Sequence, residues 1–191
     1  MARKPSNDTA TFLMEYGVNL SNRTIYLSGE IDDAVSTKFM RGLELLRSAS
    51  ATEITVLITC PGGEVEAGFG IYDAICAMDI PVTTIAIGSA QSMAGLILQA
   101  GDTKIVSPNS TIMLHYSTVS SSSDGALAYE AWAKWSEVTR AAFIGILDHT
   151  TKRRKSYWRN KLKTDAIFTA HQAVELGLAD KILTTFPYRS E

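Results

Sequence analysis

Ile54-Thr55-Val56-Leu57-Ile58-Thr59 is an uncharged, mostly β-branched run, closed by Cys60-Pro61-Gly62-Gly63. A half-wet strand alternates apolar with polar residues. An unbroken run predicts a strand covered on both faces, as in a parallel sheet flanked by helices. Pro61 and the two glycines break it, and a helix is predicted over residues 64–78. Upstream, residues 24–28 read as a strand, and Asp32 begins a helical stretch with Phe39, Leu43 and Leu46 at helical spacing. Downstream, residues 81–87 read as another strand. Residues 88–100 mix small residues with Leu96, Ile97 and Leu98, and short strands follow at 104–106 and 111–114. This alternation implies an α/β fold with a largely parallel sheet.

Composition narrows the function classes. The 191 residues carry 18 Lys+Arg against 20 Asp+Glu, a net charge of −2, which gives no electrostatic reason to bind nucleic acid or an anionic membrane. The 46% apolar content excludes global disorder. Cys60 and Cys76 form neither a disulfide framework nor a zinc motif. The polar N-terminus has no signal-peptide core, and no apolar stretch is long enough to span a bilayer. A cytoplasmic, soluble chain is expected: a flexible arm over residues 1–18, with an apolar patch at Phe12–Met14, then one domain over 19–191.

Residues 117–125 are Ser-rich and read as a loop. A long helix is predicted over 126–150. Leu127, Ala131, Trp135, Val138, Ala142 and Ile146 recur at helical spacing, and Trp132 and Phe143 widen the apolar arc to about half the circumference. Such an arc fits either a deeply buried helix or a contact between subunits.

Four places could carry chemistry. Gly88-Ser89-Ala90-Gln91-Ser92-Met93-Ala94-Gly95 puts Ser92 between a strand and a helix, where helix-start N–H groups favour developing negative charge. An ordinary Ser N-cap reads the same way. His115 closes the strand 111–114. It is either a satisfied core histidine or a base, and it is better placed than His149 or His171. Asp165 lies between a basic helix and an apolar step, where a turn or cap is the bland reading. Gly62-Gly63 allows a bare backbone N–H to face a cleft, or simply a turn. Cys60 reads as a small core residue, and the basic run 152–155 as a solvated face.

Together these pieces resemble the proteolytic subunits of the Clp protease, the ClpP family. The likeness rests on Arg23 to Ile31, Cys60-Pro61-Gly62-Gly63 with Ala67-Gly68 and Ile71-Tyr72-Asp73, then Gly88 to Ala94 and Ser107-Pro108-Asn109-Ser110. It continues through Met113-Leu114-His115 and Asp165, with Ala173 to Asp180 following in the same order. The resemblance implies a crotonase-like spiral of ββα units with a projecting handle helix. It implies a serine endopeptidase with Ser92 as nucleophile, His115 as general base and Asp165 orienting it. The backbone N–H groups of Gly63 and Met93 would form the oxyanion hole. It implies no metal or cofactor in this subunit, with ATP entering only through a partner ATPase of the AAA+ class. Peptides and proteins would be substrates, and the assembly a homo-oligomer of stacked heptameric rings. A phage-type capsid-maturation peptidase of the same fold and a non-catalytic ring subunit are the alternatives. The chain departs from the family pattern at Thr55, Leu57, Ala77 and Ile105, where ATPase-docking aromatics are common. It also has Tyr116-Ser117 after the histidine and Lys163-Thr164 before the aspartate.

Overall fold

The computed structural model describes residues 11, 13, 15–116 and 126–185. Its strands are β1 (Val18–Asn19), β2 (Thr24–Ser28), β3 (Ile54–Cys60), β4 (Val82–Gln91), β5 (Thr103–Val106), β6 (Thr111–Leu114), β7 (Ala166–Thr169) and β8 (Lys181–Ile182). The helices are α1 (Asp33–Ala49), α2 (Val65–Cys76), α3 (Met93–Ile97), α4 (Ala126–Thr150), α5 (Lys155–Lys161) and α6 (Ala170–Leu176), with a 3₁₀ turn at Leu98–Ala100. This is the mixed α/β architecture that the strand–helix alternation implies.

The sheet runs β1-β2-β3-β4-β5-β8 and branches at β4. The first half of β4 pairs in parallel with β5 and its last residues, Ser89 to Gln91, with β6. β7 then pairs antiparallel with β6. The strand read from the sequence over 81–87 does not stop there, although Gly88 has a φ of +72°. The strand instead resumes beyond Gly88, because a new partner is available on one side and Cys60 pairs Ala90 on the other.

The β3 run behaves as its composition predicts: Ile54, Val56, Ile58 and Cys60 enter the main core, and Leu57 joins Ile85 and Ile105 in a smaller cluster. α1 starts where Asp32 accepts a hydrogen bond from the Val35 N–H at 2.7 Å, an N-cap. Val18, assigned to the arm by the sequence reading, is completely buried in β1. The order of the domain therefore begins before residue 19. The remainder of the arm up to residue 10, and the expected loop at 117–125, lie outside the described residues.

The long helix answers its two readings unevenly. Phe143, Ile144 and Leu147 are core residues, whereas Tyr129 and Val138 are each more than 60% exposed. Among the described side chains of this helix, deep burial holds for the last turns alone. The basic residues from Lys152 to Lys155 are exposed, as a solvated face should be.

Candidate active site

Ser92 sits where β4 turns into α3, with φ +52° and ψ −120°. That conformation strains any residue bearing a Cβ and is found where surrounding structure over-determines it. Here the Ser92 N–H donates to the Met113 carbonyl at 2.7 Å, tying the turn to β6. The turn is packed tightly enough to need glycines beside it. A Cβ on Gly68 would stand 2.7 Å from Met93 Cε, and one on Gly95 2.8 Å from Leu114 Cδ2.

β6 and β7 deliver the other two side chains. Leu114 pairs Ala166 in the antiparallel register, so His115 and Asp165 leave the same end of the ladder side by side. His115 Nδ1 lies 3.2 Å from Asp165 Oδ1, and His115 Nε2 lies 3.0 Å from Ser92 Oγ. With the proton on Nδ1 shared towards the carboxylate, Nε2 presents a lone pair to the Ser92 hydroxyl. That arrangement can draw the hydroxyl proton off and stabilise the imidazolium that results. The His115 side chain is 29% exposed and that of Asp165 68%, so the carboxylate faces solvent in this chain. The other histidines, His149 and His171, are exposed and neither bonds to Ser92 or Asp165.

The Gly62-Gly63 turn lies against the serine turn. It is held by Ile31, whose N–H donates to the Gly62 carbonyl and whose carbonyl accepts from the Glu64 N–H, both at 2.8 Å. Gly62 has φ +93° and Gly63 φ +154°. A Cβ on Gly63 would fall 2.1 Å from the Ile31 carbonyl oxygen, so only glycine fits. Among the described residues, the N–H groups of Gly63 and of Met93, the first residue of α3, have no hydrogen-bond acceptor. Two free donors carried by adjacent turns can hold a negatively charged oxygen.

Beside Ser92 and His115 opens a cleft lined by Val65, Met93, Tyr116, Trp135, Thr139 and Phe143. The Trp135 indole N–H donates to Glu66 Oε1 at 3.0 Å, linking α4 to α2. The Thr139 hydroxyl donates to the Trp135 carbonyl at 3.1 Å, which leaves little unpaired polarity on this wall. Arg140 stacks over the Tyr116 ring at 4.8 Å. Burial pushes the Tyr116 phenol up, against the opposing pull of Arg140 and Arg159. The structure brings together Ser92, His115 and Asp165 as named from the sequence, sets Gly63 and Met93 in the adjacent turns, and adds Glu66, Trp135 and Arg140, which the sequence did not single out for the site. Trp135 was visible only as one apolar position of a helix, and nothing in the sequence ties it to Glu66.

Among the described residues no cluster of His, Cys, Asp and Glu could hold a metal ion, and no helix is long and apolar enough to cross a membrane. The sequence profile of the Clp protease family matches residues 7–186. ATP-dependent Clp protease proteolytic subunit 2 of Treponema denticola is 32% identical, the alignment covering 94% of this chain and 90% of that protein. Proteolytic subunit 1 of Protochlamydia amoebophila is 31% identical, covering 87% and 83%, and the proteolytic subunit of Deinococcus radiodurans 30% identical, covering 88% and 83%. A free Ser–His–Asp chain, two unpaired donors beside it and similarity over nearly the whole length converge: the chain belongs to the Clp protease family and is a peptidase.

Proposed function

We propose that Ser92 is the nucleophile of a serine endopeptidase, with His115 as general base and Asp165 as the group that orients it. His115 takes the Ser92 proton as Oγ attacks the peptide carbonyl. The oxyanion rests on the N–H groups of Gly63 and Met93. His115 then protonates the leaving amine, and water repeats the cycle on the acyl-enzyme. The observation that carries this reading is the pair of contacts at 3.0 Å and 3.2 Å leading from Ser92 Oγ through His115 to Asp165. The chemistry consumes only water, so this subunit needs no metal or nucleotide of its own.

The relatives are named ATP-dependent proteolytic subunits, which supports a partner ATPase of the AAA+ class that unfolds proteins and feeds them to this chain. The exposed apolar side chains of α4, Tyr129 and Val138, support self-assembly into stacked heptameric rings in the cytoplasm, with the sites enclosed. Neither a nucleic acid nor a membrane partner is part of this reading. The capsid-maturation and non-catalytic alternatives are not favoured, since relatives named as Clp proteolytic subunits span the chain.

A serine-reactive fluorophosphonate should label the wild-type chain and leave Ser92→Ala unlabelled. Short fluorogenic peptides should be cleaved by the first and not the second. Labelling at another residue, or unchanged cleavage by Ser92→Ala, overturns the assignment. Native mass measurement tests the ring.

A further inference from the structure

Cys60 ends β3, is 1% exposed, and takes no part in the chemistry just described. Its thiol is nevertheless bonded in both directions. Sγ–H donates to the Gly29 carbonyl at 3.0 Å, and Sγ accepts from the Gly62 N–H at 3.3 Å. Burial pushes the thiol up, against the pull of the Gly62 N–H, so it keeps the proton it donates.

These contacts matter because of what the next peptide unit carries. The Gly62 carbonyl and the Gly63 N–H belong to one planar trans unit and point in opposite directions. Ile31 holds that carbonyl at 2.8 Å, which turns the Gly63 N–H the other way. The preceding unit, from Pro61 to Gly62, has its N–H held only by the Cys60 sulfur. Between the two units lies Gly62, whose missing Cβ lets both of its dihedrals rotate freely. Clamping one unit to Ile31 and the other to Cys60 removes that freedom. Without the sulfur contact, the unit from Pro61 to Gly62 loses its hydrogen bond, and the turn rests on its two bonds to Ile31 and its packing against the serine turn.

We propose that Cys60 is a positioning residue for the oxyanion donor: its thiol bridges Gly29 to Gly62 and so fixes the direction of the Gly63 N–H. This rests on the reading of Ser92 and Gly63 given above. A donor held off its line is missed mainly in the transition state, so the effect falls on kcat and not on substrate binding.

The test is a pair of substitutions assayed on a short fluorogenic peptide. Cys60→Ala removes both bonds and should lower kcat about tenfold with KM within about twofold, less than the loss expected when an oxyanion donor is deleted outright. Cys60→Ser keeps a donor and an acceptor and should recover most of kcat. A peptide boronate, whose tetrahedral adduct places an oxygen on the Gly63 N–H, should bind Cys60→Ala about tenfold more weakly and Cys60→Ser nearly as wild type. Cys60→Thr and Cys60→Val, alike in shape but not in hydrogen bonding, repeat the comparison with packing held constant. Unchanged kcat in Cys60→Ala, or equal losses in each pair, overturns the role of Cys60 while leaving the catalytic assignment standing. Full activity in Ser92→Ala instead removes the reading on which it rests.

Discussion

A Cβ on Gly62 would stand 2.8 Å from the Cβ of Ser92 and 2.6 Å from the Gln91 carbonyl oxygen. The two turns touch backbone to backbone, so neither can move without the other. Gly62→Ala must therefore push the Gly62–Gly63 turn off the serine turn. It also strains a φ of +93°. We expect kcat to fall about a hundredfold, the scale of a lost oxyanion donor. Steady-state kinetics on a short peptide, with assembly checked by native mass, measures it. A variant within threefold of wild type would contradict the packing argument.

The Trp135–Glu66 hydrogen bond ties α2 to Trp135 of α4, which lines the cleft beside Ser92. It is exposed, so its net worth is about 1 kcal/mol. Glu66→Ala should raise KM for short peptides by about two- to fivefold and leave kcat nearly unchanged, as loss of uniform binding does. A fall in kcat alone would mean that the wall shapes the transition state instead.

Arg23 adopts a left-handed φ of +53° and spreads its guanidinium over the carbonyls of Leu46, Ser50, Thr52 and Glu53. It thereby closes the C-terminal end of α1 and the approach to β3. Planar forked donors are needed to reach four acceptors, so Lys is no substitute. Arg23→Ala should cost about 2–3 kcal/mol, the worth of charged hydrogen bonds partly shielded from water, and Arg23→Lys nearly as much. Urea unfolding at one fixed protein concentration reads the difference.

Lys104 is buried, with Nζ donating to the carbonyls of Thr150 at 2.7 Å and Gly177 at 3.0 Å. Burial pulls its ammonium below the usual lysine range, with Asp180 opposing and Lys152 adding to the shift. The folded chain thus releases this proton at lower pH than the unfolded chain does. The unfolded state then binds more protons, and this group's contribution to stability rises with pH between the folded value and about 10.4. The thiols of Cys60 and Cys76 and the phenol of Tyr72 are pushed up and act in the opposite sense. The wild type should therefore gain stability relative to Lys104→Met as pH rises towards about 10.4. Parallel pH curves for the two proteins would refute the assignment.

The sequence was legible where local chemistry acts alone. The uncharged run at 54–59 reads as a covered strand, Asp32 as the start of a helix, and Pro61-Gly62-Gly63 as a break in the chain, and the structure has all three. The break expected at Gly88 failed because a partner strand 20 residues downstream keeps β4 extended through Ser89 to Gln91. Cys60 reads from the sequence as a small buried residue, and its hydrogen bond escapes that reading because the acceptor on Gly29 lies just past the end of the neighbouring strand β2. Trp135 and Glu66 lie 69 positions apart, and no periodicity reports a contact of that kind. Ser92, His115 and Asp165 were found because a family pattern already joins them. Taken one at a time, a cap, a core histidine and a turn were the favoured readings.

The pairing of Leu114 with Ala166 has a consequence for the order in which a ribosome makes this protein. The hydroxyl and the imidazole are translated near mid-chain, at residues 92 and 115 of 191, but the carboxylate follows only 50 residues after the imidazole. At about 5–20 residues per second, many seconds of synthesis separate Ser92 from Asp165. Through that interval the nascent polypeptide holds a nucleophile without its full machinery. A messenger truncated before β7 would yield a chain lacking the carboxylate on which the proposed mechanism depends. On that mechanism, the order of translation itself delays assembly of the site.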